Sequence, residues 1–252
     1  MKQRRANGKW VALVSGGAGD IGRAIGARLL ADGFKVSLGD QHAKPGRILA
    51  RSGAHYQRVD ITQTAEIDRW FTEVETTLGC PEVVICNAAI VELGSAVALD
   101  EAAWRRTLDV NLTGAFLLAQ RAAQRWLAAG TRGRILFVGS WAAHAPHPNL
   151  AAYCVAKAGL RMAAQCLAVE LAPHGILVNE VAPGQVDAGL SRRIFDSKPQ
   201  LRKRALSRIP TRSLLSSEDV ADAVAYLCRL ETRQITGSTL LVDGGLSLVR
   251  PV

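Results

Sequence analysis

Short runs of consecutive apolar residues alternate with helix-period segments along almost the whole chain, and this alternation constrains the fold more than any other feature. The runs at Val11–Val14, Lys35–Leu38, Glu82–Cys86, Arg134–Val138, Ile176–Val178 and Thr239–Val242 are predominantly apolar, with Tyr56–Val59 a weaker seventh. A strand that is apolar on both sides must be covered on both sides, which is the condition of a parallel sheet between helix layers. Between the runs, Ile21, Ala24, Ile25 and Leu29 recur at helical spacing and stop before Gly33. Leu160, Ala163, Ala164, Leu167, Ala168 and Leu171 likewise hold one helix face. The expected fold class is α/β, a single-domain, doubly wound parallel β-sheet of about seven strands with helices on both faces.

Other global features narrow the function. With 48% hydrophobic and 21% charged residues, 252 positions suffice for one large core, and no repeat or linker divides the chain. No apolar run approaches the roughly 18 residues of a membrane span. Met1–Arg5 is charged and is followed by Ala6-Asn7-Gly8, not by an apolar stretch, which argues against a secretory signal. Five scattered cysteines without a C-x-x-C pair point to reduced thiols in the cytoplasm and to no metal site. The net charge of +9 is concentrated: residues 1–10 carry four positive charges, and residues 192–212 carry eight against one Asp. The organisation read from this is a basic tail over 1–9 and one domain over 10–252. Basic patches invite comparison with nucleic-acid binders, but no helix-turn-helix, zinc finger or aromatic-studded RNA motif accompanies them. No nucleic-acid or membrane partner is expected.

The first strand runs into Ser15-Gly16-Gly17-Ala18-Gly19-Asp20-Ile21-Gly22 and then a helix. Glycines at this junction let the backbone approach a pyrophosphate, which the positive end of the following helix also favours. In strand–loop–helix context the G-x-G-x-x-G of Gly17, Gly19 and Gly22 is expected to form the dinucleotide site of a Rossmann fold, with Gly16, Gly19, Asp20 and Ile21 among the cofactor-binding residues. Asp40 follows the second strand, eighteen residues after Gly22. A carboxylate there accepts hydrogen bonds from the adenosine ribose and repels a 2′-phosphate, so NAD is expected over NADP.

Four further motifs complete a pattern: Asn87-Ala88-Ala89, Asn111 in Asp109-Val110-Asn111, Ser140 with Tyr153-Cys154-Val155-Ala156-Lys157, and Pro183-Gly184. With the glycine loop they make the chain resemble the short-chain dehydrogenase/reductase family from Trp10 to about Ser247. The resemblance implies an NAD-dependent oxidoreductase that interconverts a small secondary alcohol and its ketone. Tyr153 would be the general acid/base, Lys157 its partner and a ligand of the nicotinamide ribose. Ser140 would bind the substrate oxygen, and Asn111 would hold a relay water. Asp60 and Ile61 would lie beside the adenine, Asn87, Ala88 and Ala89 under the adenosine ribose, and Pro183, Gly184 and Val186 at the nicotinamide. Residues 188–210 correspond to a mobile substrate flap, and the family implies a homotetramer, or a dimer, with helices near 101–129 and 151–172 in one interface. The spacing agrees with the chemistry. Tyr153 and Lys157 stand at i, i+4 on one helix face, where an ammonium is expected to favour the phenolate of a tyrosine whose ordinary pKa is about 10.

Three residues depart from the family pattern: Asp20 and Ala89 replace glycines, and Ala188 replaces a frequent threonine. Asp20 is expected either to cap a helix beginning at Ile21 or to adopt a left-handed conformation facing water, with Arg23 offsetting its charge. Either way its carboxylate should point away from the phosphates. Trp141 reads equally as a pocket wall or as core packing, and His144 and His147 as a polar surface loop. The flap cations read as a solvated helix face, with attraction of an anionic substrate as the other reading. The alternative function is an NAD-binding redox sensor without turnover, a class expected to have lost Tyr or Lys.

Overall fold

The computed structural model describes residues 9–42 and 52–249, so the basic segment 1–8 lies outside the described residues. Seven strands form one parallel sheet: β1 (Val11–Ser15), β2 (Lys35–Asp40), β3 (His55–Arg58), β4 (Val83–Cys86), β5 (Arg134–Val138), β6 (Leu177–Pro183) and β7 (Thr239–Val242). Their order is β3-β2-β1-β4-β5-β6-β7, and every pairing is parallel. The direction of winding reverses between β1 and β4, and the crevice beyond the carboxyl ends of these strands is where an open α/β sheet binds ligands.

Eight helices cover the sheet among the described residues: α1 (Asp20–Ala31), α2 (Thr64–Thr77), α3 (Glu101–Leu108), α4 (Ala115–Ala129), α5 (Ala151–Leu171), α6 (Gly189–Ser197), α7 (Pro199–Arg208) and α8 (Ser217–Leu227). Strand alternation sends neighbouring residues of β1 into two separate cores. Val11 and Leu13 join Ile67, Trp70 and Phe71 of α2, Leu118 and Trp126 of α4 and Leu160 of α5. Ala12 and Val14 join Ile25 and Leu29 of α1 and Val220 and Val224 of α8. Burial on both faces is therefore the physical cause of the continuous apolar runs. At roughly 1.5–3 kcal/mol for each large side chain removed from water, these two layers dominate the stabilisation.

Local signals set the helix ends. Asp100 accepts the Ala103 N–H at 2.7 Å to start α3, and Ser216 and Asp219 form a reciprocal capping box at α8. Helix α1 stops at Ala31, with Gly33 at φ +88° just beyond. The expected flap is two short helices, α6 and α7. No helix among the described residues is long and apolar enough to cross a membrane.

Candidate active site

The phosphate loop is held by packing that admits no side chain. Gly16 has φ +67°, and a Cβ there would lie 2.8 Å from the Ala88 Cα. A Cβ on Gly22 would lie 2.1 Å from the Gly16 carbonyl oxygen. Asn87 locks the loop to the end of β4 by donating to the carbonyls of Ser15 at 2.9 Å and Gly16 at 3.3 Å. The Ser15 hydroxyl in turn accepts the Asn87 and Ala88 N–H groups at 3.0 and 3.1 Å. Asn87 and Ala88 thus brace the phosphate loop, a role that their sequence motif alone does not reveal.

Helix α1 begins one residue earlier than expected, with Gly19 as N-cap and no side-chain cap. Its first turn therefore presents backbone donors to the cavity mouth. Asp20 is neither the cap nor a left-handed residue, which corrects both expectations. It occupies the first helical position and pairs with Arg23, while its Oδ2 accepts the Gly189 N–H of α6 at 2.9 Å. Arg23 also donates to the Ala18 carbonyl at 3.0 Å. The carboxylate finds partners across the cavity mouth, so it has no need of the helix N–H groups.

Asp40 ends β2 with its Oδ2 accepting the Ala18 N–H at 3.0 Å and its Oδ1 held by His42 Nδ1 at 2.6 Å. The parallel register places Arg58 beside Asp40, where its guanidinium donates to the Gln41 carbonyl at 3.2 Å. A sequence scan for a cation immediately after β2 misses Arg58, because only strand pairing brings it there. Asp60 accepts the Thr62 N–H and hydroxyl at 2.9 and 2.8 Å, which fixes the turn after β3.

Ser140, Tyr153 and Lys157 come together on one wall. Ser140 leaves β5 in extended conformation (φ −167°) and caps a short 3₁₀ turn, Trp141–Ala143. Burial raises the Tyr153 phenol above its ordinary value, and the neighbouring Ser140 hydroxyl draws it down less strongly. The net shift is upward, the reverse of the sequence expectation. Desolvation sets that direction, and the Lys157 ammonium lies over the tyrosine ring, 5.7 Å from its centroid, donating to the Val138 carbonyl at 2.7 Å. Burial pushes Lys157 down to about 8, against the opposing pull of Glu180.

Asn111 is on a turn that packs against α5. It is fully buried in a π-helical turn, Asp109–Gly114, between α3 and α4. Its amide donates to the Ile90 carbonyl and accepts the Ile90 N–H, both at 2.8 Å. The side chain is thus engaged by the loop after β4 and does not line the cavity.

A single cavity of about 690 Å³ joins the remaining predicted positions. Gly16, Gly19, Asp20, Ile21 and Asp40 line one end, with Asp60, Ile61, Asn87, Ala88 and Ala89 along its floor. Ser140, Tyr153, Lys157, Pro183, Gly184 and Val186 line the other end. Ala188, Ser191 and Arg193 also line it. Arg192 and Arg202 pair with Asp187, so part of the basic segment 192–212 is internally neutralised, while Arg193 lines the cavity. Trp141 is core packing: it stands edge-on to His147, with ring centroids 4.1 Å apart, and clusters with Ile209 and Leu246. His144 meets Arg161 at 3.1 Å. Burial first, then a neighbouring arginine, lowers both histidines and keeps them neutral.

Comparison with known proteins agrees with this architecture. A family model described as enoyl-(acyl carrier protein) reductase matches residues 16–247. A 2-(S)-hydroxypropyl-CoM dehydrogenase of Xanthobacter autotrophicus is 33% identical over 97% of this chain and 99% of its own. The 3-oxoacyl-[acyl-carrier-protein] reductase MabA of Mycobacterium tuberculosis is 34% identical over 94% of this chain and 92% of its own. A short-chain type dehydrogenase/reductase from Mycobacterium marinum superposes with a TM-score of 0.88 at 26% identity, covering 96% of this chain and 97% of that one. By fold, site and kinship, the chain belongs to the short-chain dehydrogenase/reductase family of oxidoreductases.

Proposed function

We propose that the protein is an NAD-dependent enzyme interconverting a small secondary alcohol and the corresponding ketone. The observation that carries this reading is the meeting of Ser140 after β5 with Tyr153 and Lys157 of α5, on the wall of the cavity that also contains the uncapped start of α1. The chain suits a dinucleotide, because Gly16 and Gly22 leave no room for a Cβ beside a helix N-terminus that lacks a side-chain cap. Gly16, Gly19 and Ile21 would hold the pyrophosphate, and Asp40 the adenosine ribose hydroxyls. Asp60, Ile61 and Asn87–Ala89 would flank the adenosine, with Pro183, Gly184 and Val186 at the nicotinamide. When bound, the nicotinamide supplies or takes up the hydride.

The protein's own groups manage the proton. In reduction, Tyr153 Oη gives its proton to the ketone oxygen while the Ser140 hydroxyl steadies that oxygen; in oxidation the proton returns to Tyr153. A phenol held above its ordinary value is protonated at neutral pH, which is the form that reduction uses. Lys157 spends one N–H on Val138 and keeps two for the cofactor ribose and the proton path. Because both groups of the Asn111 side chain are engaged by Ile90, a relay water would rest on its backbone carbonyl, within the π turn. Retention of both Tyr153 and Lys157 favours turnover over a purely sensory role.

The test is NADH and NADPH oxidation followed by absorbance against a panel of ketones, beginning with 3-oxoacyl groups and oxidised forms of hydroxypropyl conjugates. Turnover with NADH, and binding of NAD at least tenfold tighter than NADP, is the expected result. Equal affinity for the two nucleotides would remove Asp40 as the selector. Absence of turnover with every ketone would remove the proposed reaction.

A further inference from the structure

A carboxylate is buried behind the Tyr153–Lys157 face. Glu180 lies within β6 and is 1% exposed. Its Oε2 accepts the Thr239 hydroxyl at 2.6 Å, while Oε1 is buried with no hydrogen-bond partner among the described residues. Register with Phe137 and strand alternation from Val178 put the side chain on the sheet face that α5 covers. There it reaches the bend that ends β5: a Cβ on Gly139 would lie 1.8 Å from Oε1. Lys157 grips the same bend from α5, through the Val138 carbonyl. The ammonium and the carboxylate thus meet adjacent residues, Val138 and Gly139, immediately before Ser140.

We propose that Glu180 is the buried counter-charge of Lys157, a positioning residue that keeps the lysine an ammonium at the Val138 carbonyl. The inference rests on the proposed assignment of Lys157 to the cofactor ribose.

A buried carboxylate with one hydrogen bond is costly unless a cation compensates it. Burial is the strongest influence on Glu180 and holds its carboxyl above the usual carboxylate range; the Thr239 hydroxyl draws it back down, and so do the two cations Lys157 and Arg161, one helical turn apart on α5. In the other direction, Glu180 is the largest influence holding the Lys157 proton on. The remaining groups facing this pair leave the assignment intact. Burial pushes the Cys86 thiol of β4 up, so it stays neutral. Tyr153 is held protonated, His144 of the 3₁₀ turn region is neutral and bonded to Arg161, and Asp243 after β7 is engaged by Gly245 and Ser247. Deleting the Glu180 charge therefore has one sign: Lys157 loses its proton at lower pH.

Cofactor affinity reads this without any substrate. NADH binding (or NADPH, if that is the nucleotide bound) is followed by fluorescence from pH 6 to pH 10. In the unaltered protein, affinity should fall as the ammonium is lost, with a midpoint near 8. Glu180→Gln keeps the shape and removes the charge. Its midpoint should move down by about one pH unit or more, a tenfold change in proton affinity. An unchanged midpoint overturns the proposal. Lys157→Ala should be flat across the range, and a midpoint persisting there would mean that another group titrates, which also overturns it. If Glu180→Gln does not fold, Thr239→Val exposes the same linkage by weakening the hold on Oε2. A smaller shift in the same direction is expected, and no shift counts against the proposal. Failure of every ketone to turn over would refute the proposed reaction while leaving this measurement valid.

Discussion

At Tyr153 a single oxygen separates binding from chemistry. Tyr153→Phe keeps the ring beneath Lys157 and deletes only the hydroxyl proposed to exchange a proton. Turnover should fall below a few per cent, with the NADH dissociation constant within about threefold, as checked by steady-state kinetics beside fluorescence titration. Asp20 poses the opposite problem, a carboxylate beside a phosphate site. Like charges would repel there, but Arg23 and the Gly189 N–H already occupy its oxygens. Asp20→Gly should therefore change NAD affinity by less than about tenfold, roughly 1.4 kcal/mol. It also frees the first residue of α6. Limited trypsin digestion should then cut the flap arginines faster than in the unaltered protein, and equal rates would mean that the bond to Gly189 does not restrain the flap.

At the scale of elements, the phosphate loop works as a unit of three segments: the end of β1, the first turns of α1 and the loop after β4. Gly22 is the tightest point between them. Gly22→Ala places a methyl 2.1 Å from the Gly16 carbonyl oxygen, so the loop has to move or the helix has to shift. Overpacking of this kind costs about 1–3 kcal/mol. NADH affinity should drop at least tenfold with the helical circular dichroism spectrum preserved. Unchanged affinity would show that the loop does not grip the cofactor. Gly139, beneath Ser140, is constrained in the same way by Glu180.

At the scale of the molecule, apolar side chains remain on the outer side of α5: Val155 is 48%, Met162 59% and Val169 77% exposed. Their seven-residue spacing makes one stripe along the helix, and Leu127 of α4 is 42% exposed. Isolated exposed apolar residues need no explanation, but a stripe along one helix is a surface that a second copy would cover. A homotetramer, or a dimer as its minimal form, is the expected state in solution. Light scattering should give a multiple of the 26.9 kDa chain mass, and Val169→Glu with Met162→Glu should reduce it. A monomer at micromolar concentration would overturn this expectation.

Whatever depends on period and local geometry was readable from the residues alone. Continuous apolar runs specify strands covered on both faces, and glycines between a strand and a helix specify a phosphate loop. The i, i+4 spacing of Tyr153 and Lys157 puts them on one face without reference to any other part of the chain. Folding decided what depends on residues far apart in sequence. Arg58 reaches Asp40 only through parallel strand pairing. Asp20 found the flap instead of its own helix end because α6 starts within hydrogen-bond reach. Asn111 turned its amide to Ile90 because the π turn packs against that loop. The pKa shifts were the least legible of all. A charge pair read from helical spacing takes no account of desolvation, and burial set the direction for both Tyr153 and Lys157. Burial and opposing charge are sums over every surrounding element, so β6 and its Glu180 entered the chemistry of α5 only when the sheet closed around them.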